Sequence, residues 1–176
     1  IAETDGVALG TTATTTSGDI RISAGGAITT SGSLSAKGDV LLQALGTSSD
    51  ITISNNITGT GVAGKTVTLQ ADRNIVFNSG ADISTTNALN VVLNSDHDAT
   101  SGGAIQLGSG TVINSNGGNI TLGGGSSPST TAAIGQGALV EGILINGAQL
   151  QSGTGNIILN GTGLGDATNA RHGIRI

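Results

Sequence analysis

Three kinds of short aliphatic segment recur in a fixed order along this chain, and that order limits the possible folds more than any single residue does. The first kind is often preceded by Gly-Asp or Gly-Asn. It runs Gly18-Asp19-Ile20-Arg21-Ile22, Gly38-Asp39-Val40-Leu41-Leu42, Thr66-Val67-Thr68-Leu69, Asn90-Val91-Val92-Leu93, Gly118-Asn119-Ile120-Thr121-Leu122 and Gly155-Asn156-Ile157-Ile158-Leu159. The second kind lies between these: Ala27-Ile28, Asp50-Ile51-Thr52-Ile53, Asn74-Ile75-Val76-Phe77, Ala104-Ile105-Gln106-Leu107, Gly142-Ile143-Leu144-Ile145 and Gly173-Ile174-Arg175-Ile176. A weaker third series, Leu34, Ile57, Ile83, Val112 and Leu150, follows all but the last of them. Alternation with a period of two puts Ile20 and Ile22, and their equivalents, on one face of a strand.

Three short strands per turn, with glycine or asparagine at the corners, describe an all-β fold: a right-handed parallel β-helix. No single coil can bury its aliphatics, but coils stacked ~4.8 Å apart satisfy the backbone and close a continuous core. Like residues then line up. One inward column is expected to read Ile20, Val40, Val67, Val91, Ile120, Ile157, and an outward polar column Ser23, Gln43, Gln70, Asn94, Gly123, Asn160. Corners that need positive φ account for the glycine and asparagine load. The stretch through Val7, Leu9 and Thr14, Thr15 and Thr16 supplies the tail of one earlier coil, which makes about six coils and roughly 30 Å of solenoid. An antiparallel sandwich is the rival, but hairpin turns would not enforce the same three-step order.

Composition narrows the classes further. Glycine occurs 31 times, charged residues are 10% of the 176, and Phe77 is the only aromatic residue. Average usage is ~7% glycine and ~25% charged. So much glycine opposes a helical bundle, and the regular recurrence of Ile, Leu and Val opposes disorder. Cysteine is absent, which suits an exported bacterial protein without disulfides. A net charge of −5, with six dispersed Lys and Arg, excludes the basic footprint that nucleic acid requires. No apolar run reaches the length of a membrane span, and no signal peptide is recognisable. The final Gly173-Ile174-Arg175-Ile176 stops inside a strand pattern, so residues 1–176 read as a single segment of a larger repeat protein.

The spacing from first to second strand is the variable one. Ile20 to Ile28 is short, Val91 to Ile105 longer, and Ile120 to Ile143 longest. Insertions therefore gather at one corner, near 94–103, 123–142 and 160–172, where solenoids carry their variable and sometimes functional loops.

Segments such as Gly117-Gly118-Asn119-Ile120-Thr121-Leu122-Gly123-Gly124-Gly125 and Gly155-Asn156-Ile157-Ile158-Leu159-Asn160-Gly161-Thr162-Gly163 resemble the repeats of filamentous-haemagglutinin-like exoproteins. The resemblance spans nearly the whole chain. It implies a β-helix shaft of a large bacterial adhesin exported by two-partner secretion, at the cell surface or in the extracellular space. It also implies an outer-membrane transporter acting on another part of the protein, and a host-cell, glycan or matrix receptor. The family's N-terminal secretion motif is not recognisable here, and no binding residue carries over to this stretch.

Several motifs invite chemistry. Gly59-Thr60-Gly61-Val62-Ala63-Gly64-Lys65-Thr66 matches the P-loop consensus, yet that loop must lead into a helix whose N-terminus faces phosphate, and Val67-Thr68-Leu69-Gln70 continues as a strand. It reads as a corner. Asp96-His97-Asp98 is a weak metal candidate, since three adjacent ligands do not easily converge on one ion, and a solvated turn is the plainer reading. Asp19 and Asp39 should stack one coil apart, close enough to share a cation, but two turn-forming aspartates whose repulsion is screened by water are the favoured reading. The calcium-binding nonapeptide repeat is missing, so a calcium-stiffened module is a remote reading. Asn56-Ile57-Thr58, Asn119-Ile120-Thr121 and Asn160-Gly161-Thr162 fit the N-glycosylation pattern by composition alone. Polysaccharide-processing β-helices need clustered acids over a groove, commonly with aromatic platforms. Here the acids are scattered, and His97 and Arg171-His172 fall in different coils. The expectation is a structural and adhesive shaft, not an enzyme, with no catalytic residue and no cofactor. A polysaccharide-binding or polysaccharide-processing β-helix is the alternative. Leu41, Val92 and Ile158 should face outward, and the exposed strand edges at the two ends favour end-to-end self-association.

Overall fold

The computed structural model describes residues 1–165 and 171–176. Every named element among them is a strand. Successive strands fall in turn on three parallel sheets, so the chain winds as a right-handed parallel β-helix with three strands per coil. The first sheet contains Ala2–Glu3, Ile20–Ala24, Val40–Ala44, Lys65–Ala71, Leu89–Ser95, Ile120–Gly124 and Ile157–Leu159. The second contains Val7–Leu9, Ile28–Thr30, Ile51–Ile53, Ile75–Phe77, Ile105–Leu107, Ile143–Ile145 and Ile174–Arg175. Six strands, from Ala13–Thr14 to Gln149–Gln151, form the third.

The inward column of the first sheet is in register as the alternation predicts: Ile20 beside Val40, then Val67, Val91, Ile120 and Ile157. In the second sheet Ile28, Ile51, Ile75, Ile105, Ile143 and Ile174 stack in the same way. β-Branched side chains dominate these columns because they pack well on a pleated, half-buried surface. Burial is complete in the middle of the rod, with Phe77, Ile51 and Leu93 all at 0% exposure, whereas Ile157 in the last coil is 42% exposed. Leu41, Val92 and Ile158 lie half-buried on the outer face, as expected.

Two details differ from the expectation. There are about seven coils, not six, because Ala2 and Glu3 pair with Ser23 and Ala24 and complete a three-strand first coil. Both residues are exposed and join the sheet only through their backbone, so hydrophobic periodicity carries no trace of them. In the third series the inward residue is Ile113, not Val112. Ile113 is fully buried and stands between Ile83 and Leu150. A slip of one residue exchanges the two faces of a strand.

Hydrogen bonding at the corners explains that slip, and much of the Asp and Asn content. At the corner leading into the first sheet, Asp39 N–H donates to Asp19 Oδ1 (2.8 Å) and Thr66 N–H to Asp39 Oδ1 (2.9 Å). Further along, Asn119 N–H donates to Asn90 Oδ1 (3.0 Å) and Asn156 N–H to Asn119 Oδ1 (2.9 Å). Leading into the second sheet, Asn74 N–H donates to Asp50 Oδ1 and Ala104 N–H to Asn74 Oδ1, both at 2.9 Å. Leading into the third, Asp82 N–H donates to Asn56 Oδ1 (3.1 Å) and Val112 N–H to Asp82 Oδ1 (2.7 Å). Val112 thus occupies the corner position, and Ile113 follows it inward. Each side chain supplies the acceptor that the backbone cannot provide where the chain bends, so the inter-coil ladder continues around the corner.

These residues therefore do not serve by adopting positive φ. Among the described residues only Asp96, Ala99 and Asn116 do so outside glycine. Gly18 (φ 96°) and Gly64 (φ 86°) take that role at the first-sheet corner. Removing one buried acceptor should be costly: Asn74 is 8% exposed, and Asn74→Ala is expected to lose about 1–3 kcal/mol in a denaturant titration. Thr52→Ala on the outer face should change stability by less than about 0.5 kcal/mol.

Candidate functional site

The insertions collect where the first sheet hands over to the second, and they fold against one another. In the fourth coil this connection is only Asp72-Arg73-Asn74. Arg73 makes two bonds to Asp50 of the coil before (2.7 and 2.6 Å), and this hydrogen bonding raises the guanidinium pKa above its ordinary value. In the fifth coil the chain leaves the sheet through buried Ser95, whose hydroxyl donates to Gly103 O (2.7 Å), and closes a compact loop. In the sixth, Gly123 lies under the carbonyls of Pro128 and Thr131, where a Cβ would collide with both. The insertion therefore folds back over the outer face of the first sheet, and only glycine leaves it room.

The far half of that insertion forms a fourth, two-stranded sheet. Ala133–Ile134 pairs in parallel with Gly161–Thr162 of the next coil. Ile134 N–H donates to Gly103 O (2.8 Å), Gln136 Nε2 to Ser101 O (2.9 Å) and Leu164 N–H to Val140 O (2.7 Å). The predicted loops 94–103 and 123–142, with the described part of 160–172, are thus one hydrogen-bonded ledge along one edge of the rod. Residues 166–170 of the last insertion lie outside the described residues. Ile134 (39% exposed) and Leu164 (44%) give the ledge an apolar rim.

The sequence-predicted candidates disperse within this frame. Asp96 is not a solvated residue: it is 3% exposed, and its Oδ1 accepts from Gly102 N–H (2.9 Å) and Ser101 N–H (3.3 Å), closing its own loop. His97 Nδ1 lies 3.3 Å from Asp72 Oδ1 in the preceding coil. Asp98 accepts from the Thr100 hydroxyl (2.6 Å). The three residues thus serve three different partners, and among the described residues no group of three His, Cys, Asp or Glu is placed to hold a metal ion. Arg171 and His172 are exposed in the last coil, far along the chain from the His97 loop. The His97–Asp72 contact was not visible in the sequence. Its signal is the coil pitch, a separation of 25 residues that becomes meaningful only once the coils are counted.

The other motifs resolve into corners. Gly59 to Thr66 joins Ile57–Gly59 to Lys65–Ala71 with no helix, and a Cβ on Gly61 would overlap the Lys37 carbonyl. Asn56 and Asn119 are ladder acceptors, and Asn160 Nδ2 donates to Pro128 O (2.8 Å), pinning the ledge. The outward polar column is partly a ladder of its own: Gln43 Nε2 donates to Gln70 Oε1 (2.7 Å). The next member, Asn94, is one methylene shorter and 2% exposed, and its Oδ1 has no partner among the described residues.

Asp19 and Asp39 are stacked as expected, each engaged with the backbone of the coil above. The Asp39 N–H, and then the Arg21 guanidinium 2.9 Å away, hold the Asp19 carboxyl below the usual carboxylate range. Because the folded pKa is the lower one, this contribution is present above the unfolded value and is lost as pH falls through the folded value. A carboxyl-detected NMR titration should place the Asp19 midpoint below that of an ordinary aspartate, and Asp19→Asn should remove this component of acid sensitivity while keeping the acceptor. A midpoint at or above the ordinary value would contradict the assignment.

Comparison of the chain with protein-family models, with curated proteins and with solved structures returns no match. No helix among the described residues is long and apolar enough to cross a membrane.

Proposed function

We propose that this chain is a rigid structural segment of a large secreted bacterial surface protein, an adhesin-like shaft that carries a side ledge. One observation carries the reading: the corner ladders continue the inter-coil hydrogen bonding of all three sheets, which makes a stiff rod from coils stacked in register. The mechanism is mechanical. Tension or bending at one end is shared by parallel ladders on three faces, so a binding region held at the tip keeps its distance from the cell. The carboxylates favour this over a polysaccharide-processing role, because Asp19, Asp39, Asp50 and Asp82 are each used to accept a backbone N–H of a neighbouring coil. The ledge and its apolar rim suit a decorated shaft, with any receptor contact made elsewhere or along that edge. The family resemblance of the repeats supports export by two-partner secretion.

Antibodies raised against the folded chain should label intact cells of the producing bacterium, and the antigen should disappear when surface-exposed protein is shaved with protease. Labelling only after lysis would overturn the surface reading. A polypeptide of these 176 residues also presents strand edges on its first and last coils, with Ile157 and Ile176 exposed at one of them. It should stack end to end, seen as a molar mass that rises with concentration in light scattering. A strict monomer at high concentration would remove self-association.

A further inference from the structure

We propose that Asn146-Gly147 is a site of spontaneous deamidation, and that the fold confines this chemistry to one of the three Asn-Gly steps in the chain. In the reaction, the Gly147 backbone nitrogen attacks the Asn146 side-chain carbonyl carbon and gives up its proton. Ammonia leaves with the electrons of the broken C–N bond, and a five-membered succinimide remains. Water then opens the ring at either carbonyl, producing aspartate or isoaspartate. The only co-reactant is water. The requirements are a glycine after the asparagine, a free backbone N–H on that glycine and an untethered side-chain amide.

Asn-Gly occurs at Asn116-Gly117, Asn146-Gly147 and Asn160-Gly161. The first is tied at both reacting groups: Asn116 Nδ2 donates to Thr86 O (3.0 Å), and Gly117 N–H donates to Ser152 O (2.8 Å). In the third, Asn160 Nδ2 is held by Pro128 O (2.8 Å) and Gly161 lies in register with Ala133 in the ledge sheet. The second differs on every count. Asn146 and Gly147 are both exposed at the corner between the second and third sheets. Among the described residues the Asn146 side chain makes no hydrogen bond and the Gly147 N–H donates none, although their other backbone groups are anchored by Asn146 N–H to Leu107 O and Gly110 N–H to Gly147 O (both 3.0 Å). The fold therefore fixes the chain on either side of the reacting atoms while leaving those atoms free.

The position gives the products consequences. Asn146 and Gly147 line the same surface depression as Arg175, whose guanidinium lies 3.2 Å from the Glu141 carboxylate. Deamidation to aspartate places a new negative charge beside that pair. Conversion to isoaspartate adds one carbon to the main chain at a corner, between Ile145 in the second sheet and Gln149–Gln151 in the third. The corner bond from Gly110 to Gly147 depends on that spacing.

The folded chain would be held at mildly alkaline pH in heavy-oxygen water, and peptide mapping would locate label incorporated at each Asn-Gly step. Asn146 is expected to convert about tenfold or more faster than Asn116 and Asn160, the scale set by the hydrogen bonds that protect the other two. In denaturant the three rates should converge, and Asn146→Gln should abolish the fast component without altering the unfolding midpoint. Equal protection of all three steps in the folded chain, or earlier conversion at Asn116 or Asn160, would overturn the proposal.

Discussion

The inter-coil hydrogen-bond ladder is the constraint on which the rest of this structure depends. In most sheets the ladder stops where the strand stops, and the turn satisfies its own polar groups or gives them to water. A β-helix with strands of three to five residues at most positions cannot leave so much backbone to solvent, because corners make up a large share of every coil. Here Asp and Asn side chains take the place of missing carbonyls, and the ladder passes through the bends. The same arrangement lets the coils stack without a shift of register, since each corner residue measures its position against its counterpart one coil below.

Charge and composition follow from that arrangement. Placing Asp19 and Asp39 one above the other would be unfavourable if both carboxylates faced solvent or each other. They are accommodated because each points at a backbone N–H, and Arg21 adds an opposite charge beside Asp19. The chain can thus be acidic overall yet hold its acids in ordered columns. Glycine is needed for two distinct reasons: at positive-φ corners such as Gly18, and where another segment crosses closely, as at Gly61 and Gly123.

The ledge shows the same logic applied to insertions. Extra residues between the first and second sheets form a fourth ladder in place of independent loops, with Ala133–Ile134 set against Gly161–Thr162. Its growth from the fifth coil onward makes the two ends of the rod different. The middle coils carry almost bare faces, and the later coils carry a shelf with an apolar rim at Ile134 and Leu164. Asp72, Asp96 and His97 lie at the root of this shelf, where they fasten consecutive connections to one another.

Much of the architecture was legible from the amino-acid order alone. The columns Ile20 to Ile157 and Ile28 to Ile174, the three-strand coil, and the corner that gathers insertions all follow from spacing, because burial imposes a period that hydrophobic residues must obey. Other features had no such mark. Ala2–Glu3 pairs only through its backbone, and Val112 and Ile113 are equally apolar, so neither the seventh coil nor the true inward residue could be read from hydrophobicity. The fates of Asp96, His97 and Asp98 were likewise decided in three dimensions: neighbours in sequence point to different partners, and His97 meets a residue one coil away. Sequence by itself determined the winding, because side-chain period is a local property. Only tertiary structure decided what each polar side chain does, because its hydrogen-bond partner belongs to another coil and exists only once the coils are stacked.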